Sequence, residues 1–338
     1  MIPAPFDYHR PQSLDEAIGL LSRHGAQAKL LSGGMSLLPT LKLRLGSFAH
    51  LVDINRIPGL DAIKEEGGFL RIGAMARQSA LERSELIRKK YPILGDAVPL
   101  IADPLVRNRG TVGGNVANGD PANDEPAIMI ALGATLVARG PKGERSIAAN
   151  KFYTDLYTTA LARDEILTEI RIPVPPAKSG GAYQKLKRKT GDFAVAAVAV
   201  QLSLDAKGAV ASCGIGLTNA GPTPLEAAEA AKFLVGKTLD AKTIAEAAKL
   251  AAAKSSPSAD HRGSVEYKRE MARVLAARAL HPDDVTHVVL THAHLDHLAG
   301  AVCVGEAGAL APRFRRARHF LHTADLATPR YDGRANPD

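Results

Sequence analysis

The sequence predicts an α+β fold in two main parts followed by a dissimilar tail. Three observations carry this. Short apolar, strand-like segments alternate with amphipathic helix patterns over residues 1–176. The run Pro173-Val174-Pro175-Pro176 reads as an extended linker, and residues 177–281 beyond it change to paired strands followed by Ala-rich helices. All 18 Lys fall within residues 1–281, whereas residues 282–338 hold no Lys but 6 of the 11 His.

Ser13-Leu14-Asp15-Glu16 opens a helix with a capping-box-like start, and Leu14, Ile18 and Leu21 continue its apolar face. Ala28-Lys29-Leu30-Leu31 reads as a short strand, interrupted at once by Gly33-Gly34. Leu37, Leu41 and Leu45, spaced i, i+4, i+8, restart a helix over residues 36–45. Strand-like pieces follow at 50–54 and 69–72. An apolar helix pattern then precedes Asp103-Pro104, and alternation around 134–138 and 166–172 marks antiparallel strands. After the linker, residues 194–204 and 210–218 form a strand pair joined at 205–208. Helices are expected at 224–234, 241–253 and about 265–280, with Pro282 ending the last.

Composition narrows the function. Apolar residues at 46% and charged residues at 23% describe a globular chain, and no apolar run approaches the roughly 18 residues of a membrane span. The N-terminus has neither the basic nor the apolar region of a secretory signal, so the chain is read as cytoplasmic. The net charge of +8 fits an acidic partner or phosphate-rich ligand as well as an ordinary basic surface. No basic run is interleaved with stacking aromatics, so nucleic-acid binding gets little support. With Cys213 and Cys303 alone, the chain lacks the four thiolates an iron–sulfur cluster normally needs.

The chemical signal is a pair of Gly-Gly segments, Ser32-Gly33-Gly34-Met35-Ser36 and Thr111-Val112-Gly113-Gly114-Asn115. The first opens a helix, where free backbone N–H groups favour an anion, and glycine lets a backbone approach a pyrophosphate closely. Ser32, Ser36, Thr111 and Asn115 add short hydrogen-bonding side chains. Neither segment carries the spacing of a Rossmann or Walker phosphate loop. Singly each is an ordinary turn; together, with these flanks, they point to a ligand.

The stretches SGGMSLLPTLKLRL and RNRGTVGGNVANGDPANDEPA resemble the two FAD loops of the FAD-binding subunits of molybdenum hydroxylases. FDYHRP, IADP and YQKLKRKTGDFA resemble the carbon monoxide dehydrogenase medium-subunit branch in particular, and the likeness runs from residue 1 to about 281. It implies a two-part FAD-binding domain of the PCMH/vanillyl-alcohol-oxidase type over 1–176, divided near residue 57, and a C-terminal domain of the carbon monoxide dehydrogenase flavoprotein type over 177–281. Residues 32–36 and 111–115 would bind the FAD pyrophosphate from both sides, with Met35 replacing a usual polar residue. Asp124 would contact ribose or hold the second loop, Lys185 and Leu167 would lie near the flavin, and Phe193 would cover the isoalloxazine ring. On local grounds Asp124 equally reads as a helix cap, Lys185 as part of a basic edge, and Leu167 and Phe193 as core. The implied role is electron transfer with no acid–base residue. Its partners would be a molybdopterin-binding large subunit and a small subunit carrying 2Fe–2S clusters, as a dimer of heterotrimers. The substrate implied is carbon monoxide, with aldehydes, purines and N-heterocycles as alternatives, and the acceptor a quinone rather than NAD. Any contact with the inner membrane face would come through the complex.

The tail carries a second motif. Residues 284–291 read as a buried strand, and His292, His294, Asp296 and His297 follow in the HxHxDH pattern of the metallo-β-lactamase fold, where they would hold zinc. Residues 282–338 are too few for that fold's full core. A non-catalytic remnant, metal binding without turnover, and zinc-dependent hydrolysis all stay open.

Overall fold

The computed structural model describes residues 2–280 throughout and, beyond them, the four stretches 287–290, 302–304, 310–312 and 318–321. The α+β class holds. Strands β1 (Asp7–His9), β2 (Ala28–Leu31) and β3 (His50–Asp53) form a parallel sheet in the order β1-β3-β2. Parallel neighbours need crossovers, supplied by helices α1 (Leu14–His24) and α2 (Leu37–Lys42). The Ser13 hydroxyl accepts from the Glu16 amide at 3.2 Å and so caps α1, as its sequence predicts. Ala17, Ile18 and Leu21 bury one face of α1 against Val52 and Ile54.

A five-stranded antiparallel sheet follows, ordered β4-β5-β10-β6-β7. It comprises β4 (Ile63–Glu66), β5 (Phe69–Gly73), β6 (Thr135–Gly140), β7 (Gly143–Ala148) and β10 (Ile166–Pro173). A small hairpin of β8 (Tyr153–Asp155) and β9 (Thr158–Thr159) stands outside it. Between β5 and β6 run six short helices: α3 (Gln78–Arg83), α4 (Glu85–Lys90), α5 (Pro92–Ala97), α6 (Pro104–Arg109), α7 (Val112–Ala117) and α8 (Asp124–Ala131). Asp103 caps α6 by accepting from Val106 N at 2.9 Å, with Pro104 in the first turn where its missing N–H costs nothing. Leu70, Ile72, Leu136, Ile170 and Ile172 meet Val112, Val116 and Ile128 in the main core.

The last part is an antiparallel sheet in sequence order: β11 (Ser179–Leu186), β12 (Ala196–Leu204), β13 (Val210–Thr218) and β14 (Leu225–Glu226). Helices α9 (Ala228–Leu234), α10 (Ala241–Ala253) and α11 (Val265–Leu280) complete it. The helix expected at 224–234 starts later because Leu225 and Glu226 pair with β13. Strand β11 was not predicted: it opens Ser-Gly-Gly-Ala and has none of the β-branched residues that mark strands.

Helix α8 lies directly on β13. A Cβ at Gly216 would sit 2.0 Å from the Ala127 carbonyl oxygen, and one at Gly214 would sit 2.1 Å from that of Ala131. Backbone cannot yield as a side chain does, so Gly216→Ala should destabilise the chain by about 1–3 kcal/mol, read as a lower midpoint in urea. An unchanged midpoint would show that α8 is not held this closely.

Residues 280–338 form a separate unit. Its described strands are β15 (His287–Leu290), paired in parallel with β18 (Arg318–Leu321), and β16 (Val302–Val304), antiparallel to β17 (Leu310–Pro312). The strand predicted at 284–291 is present over His287–Leu290. His292, His294, Asp296 and His297 lie outside the described residues. Among the described residues no helix is long and apolar enough to cross a membrane.

Candidate functional site

A cavity of about 730 Å³ opens among the β2–α2 loop, the start of α7, the start of α8, strand β11 and the 191–193 turn. That is within the roughly 300–1,000 Å³ usual for small-molecule and cofactor sites. Of the predicted cofactor residues, Ser32, Gly33, Gly34, Met35, Ser36, Thr111, Gly113, Gly114, Asn115, Asp124, Leu167, Lys185 and Phe193 line it. Val112 does not: its side chain is fully buried in the core and its N–H donates to Ala76 O at 2.9 Å.

The two glycine segments differ in what they offer. Leu31 ends β2, and Gly34 takes φ +77 to turn the chain into α2. Among the described residues, the amides of Gly33, Gly34, Met35 and Ser36 meet no acceptor. Successive free amides around such a turn form an anion-binding concavity. The segment at 111–115 was expected as a second backbone cradle, but it opens α7 and the amides of Val112 to Asn115 are taken. Gly113 N donates to Ala74 O and Asn115 N to Thr111 O, while Gly114 N donates to the capping Thr111 Oγ1 at 3.1 Å. This segment presents side chains instead: Thr111 Oγ1 donates to Ser32 Oγ at 3.2 Å, and Asn115 Oδ1 is buried with no partner among the described residues.

The glycines also have packing roles that sequence spacing did not reveal. A Cβ at Gly33 would lie 2.5 Å from the Arg109 carbonyl oxygen, and one at Gly113 would lie 2.5 Å from the Ala74 Cβ. Glycine thus lets the two segments touch each other as well as a ligand. Arg77, which sequence reasoning missed, braces both: it donates to Arg109 O and, at 2.6 Å, to Asn55 Oδ1. Asn55 in turn donates to Ser32 O at 2.8 Å.

Asp124 and Lys185, predicted as separate contacts, form one buried ion pair. Lys185 Nζ donates to Asp124 Oδ2 at 2.8 Å and to Leu100 O at 3.0 Å, and Tyr183 OH donates to Asp124 Oδ1 at 2.5 Å. Tyr183 and Lys185 alternate on β11 and so point the same way. Asn123, not Asp124, is the N-cap of α8. Burial pushes the Asp124 carboxyl above its usual range, while Lys185 and Tyr183 pull it back. Lys185 is therefore no member of a solvated basic edge. Leu167 is both core and cavity wall, whereas Phe193 is 45% exposed, lines the cavity and is not core. The Arg262 guanidinium lies 5.8 Å from the Phe193 ring and pairs with Asp192 at 3.0 Å, fixing the turn that carries it.

Beside the pair, Glu125 is fully buried and accepts from Gln78 Nε2 at 2.7 Å. Burial first, and the Asp124 charge after it, raise its carboxyl well above the ordinary value. Folding must then take up a proton whenever the unfolded carboxyl is ionised, so this group's contribution declines as pH rises above about 4.5. Glu125→Gln should accordingly raise Tm at pH 8 and do little at pH 4. A pH-independent change would contradict a raised Glu125 carboxyl.

Residues 4–175 match the family model described as FAD binding domain in molybdopterin dehydrogenase, and residues 181–282 match that described as CO dehydrogenase flavoprotein C-terminal domain. A metallo-β-lactamase superfamily model matches residues 261–335. The carbon monoxide dehydrogenase medium chain of Afipia carboxidovorans is 49% identical over 280 residues, covering 83% of this chain and 97% of that one. The glyceraldehyde dehydrogenase medium chain of Sulfolobus acidocaldarius is 34% identical over 279 residues, 82% of this chain and 98% of that one. Among solved structures, carbon monoxide dehydrogenase from Hydrogenophaga pseudoflava superposes with TM-score 0.81 at 47% identity, covering 83% of this chain and 97% of that chain. Quinoline 2-oxidoreductase from Pseudomonas putida 86 gives TM-score 0.77 at 33% identity, covering 83% and 97%.

Proposed function

The chain belongs to the FAD-binding medium subunits of molybdenum hydroxylases, and from that premise we propose that it is the electron-transfer subunit of a complex oxidising carbon monoxide. It is an oxidoreductase subunit, incomplete by itself. The observation that carries the cofactor assignment is the row of unpartnered amides, Gly33 to Ser36, on the wall of the cavity. Those amides would hold the pyrophosphate, with Ser32, Thr111 and Asn115 as side-chain donors and acceptors. Phe193 would cover the isoalloxazine ring. Lys185 and Leu167 would bound the flavin end, and Asp124 would serve by positioning Lys185. FAD, when bound, would accept electrons singly and pass them on in pairs.

The domains of this reading are 1–176 and 177–281, with 282–338 a passenger segment. Partners would be a large molybdopterin-binding subunit and a small 2Fe–2S subunit, paired as two heterotrimers, with a quinone as acceptor and a cytoplasmic location. In support, the sequence holds two cysteines, Cys213 and Cys303, fewer than the four thiolates that a 2Fe–2S cluster normally needs. The Afipia relative, at 49% identity, favours carbon monoxide over the aldehyde implied by the Sulfolobus relative at 34%.

The purified chain should carry about one FAD, released on denaturation and therefore noncovalent. Colourless protein that cannot be reconstituted with FAD would overturn the reading.

A further inference from the structure

Three imidazoles from three different elements meet at one edge of the N-terminal sheet. His9 ends β1 and His50 begins β3. These strands are parallel, with Asp7 opposite His50 and His9 opposite Val52, so Asp7, His9 and His50 project from the same face. Helix α1 covers that face, burying Ala17, Ile18 and Leu21 against Val52. His24, the last residue of α1, therefore comes down over His50, with ring centroids 3.7 Å apart. One nitrogen from each ring lies within 4.8 Å of the other two, and all three residues are half-buried.

Stacking would account for His24, and a single hydrogen bond for His9 and His50. It leaves Asp7 unexplained. His50 Nδ1 is approached by His9 Nε2 at 3.1 Å and by Asp7 Oδ2 at 3.4 Å, more than one N–H can serve. A metal held tetrahedrally by imidazoles at about 2.0–2.1 Å needs neighbouring ligand atoms roughly 3.3 Å apart. The spacings around His50 already match that, and the three imidazole nitrogens, all within 4.8 Å of one another, close up on the ion.

We propose that His9, His24 and His50 bind one divalent transition-metal ion of the zinc class, with the exposed Asp7 carboxylate swinging in as the fourth ligand. Imidazole nitrogen suits this class, and four protein ligands make the site structural rather than catalytic. The ion ties β1 and the end of α1 to β3. Gly25, Ala26 and Ala28, which follow His24, line the cavity, so the metal site and the cavity share a wall.

The test uses the full chain carrying His292→Ala and His294→Ala, which removes zinc held by the tail motif. After chelator treatment, equilibrium dialysis against zinc chloride with elemental analysis should give about one zinc per chain. His24→Gln, and separately His9→Gln, should abolish it. Gln is a good helix former, so His24→Gln keeps α1, which circular dichroism checks. Zinc should also raise Tm in the parent and not in either variant, because it binds only the folded form. A parent that binds no zinc, or variants that bind as much as the parent, would overturn the proposal.

Discussion

Lys185→Met is expected to destabilise the chain by about 3–5 kcal/mol, the usual result of removing one partner from a buried ion pair. The Lys185 side chain is 1% exposed and that of Asp124 7%. Met matches the lysine stem but supplies no charge, so among the described residues Asp124 keeps only the Tyr183 hydrogen bond and must ionise without its cation or take up a proton. The cost should therefore shrink as pH falls through the raised Asp124 value and the carboxyl becomes neutral. Adding Asp124→Asn should recover much of the loss, since an amide still accepts from Tyr183 without a charge to bury. Urea denaturation of the two single variants and the double measures this. A single-variant loss below about 1 kcal/mol, or a double variant equal to the sum of the singles, would show that the pair is not buried as described.

Gly33→Ala should weaken FAD binding by roughly tenfold to a hundredfold while leaving most of the fold intact. The added Cβ falls 2.5 Å from Arg109 O and 2.9 Å from Gly110 Cα, so one segment must back away from the other. Overpacking of this kind costs about 1–3 kcal/mol, and every 1.4 kcal/mol is a factor of ten in affinity. The shift falls on the amides of Gly33 to Ser36, the groups assigned to the pyrophosphate. Fluorescence titration of the apoprotein with FAD reads the change, and an affinity equal to the unsubstituted chain would contradict the close approach.

Much of the fold was legible because it follows local rules. The Ser13 cap and the apolar stripe of α1 are set within one helix, and the alternation read at β6 and β10 needs no distant partner. The candidate site was half legible. The Gly-Gly segments gave its position, yet their physical roles depend on neighbours far along the chain: Arg109 against Gly33, Ala74 against Gly113. The same distance hid the Asp124–Lys185 pair, whose members lie 61 residues apart on different elements. Arg77 and Asn55 carry no motif at all; only the folded chain brings them between the two segments. Strand β11 escaped because its opening glycines give no strand pattern, although it supplies both Tyr183 and Lys185.

The free amides of Gly33 to Ser36 should bind the diphosphate of FAD. Titrating flavin-free chain with FAD and with riboflavin, which has the same ring system and no phosphate, tests it most directly. FAD should bind at about one per chain and riboflavin at least a hundredfold more weakly, since hydrogen bonds to charged groups contribute about 1.5–3 kcal/mol each. Equal affinity for the two, or no binding of either, would contradict a diphosphate held by these amides.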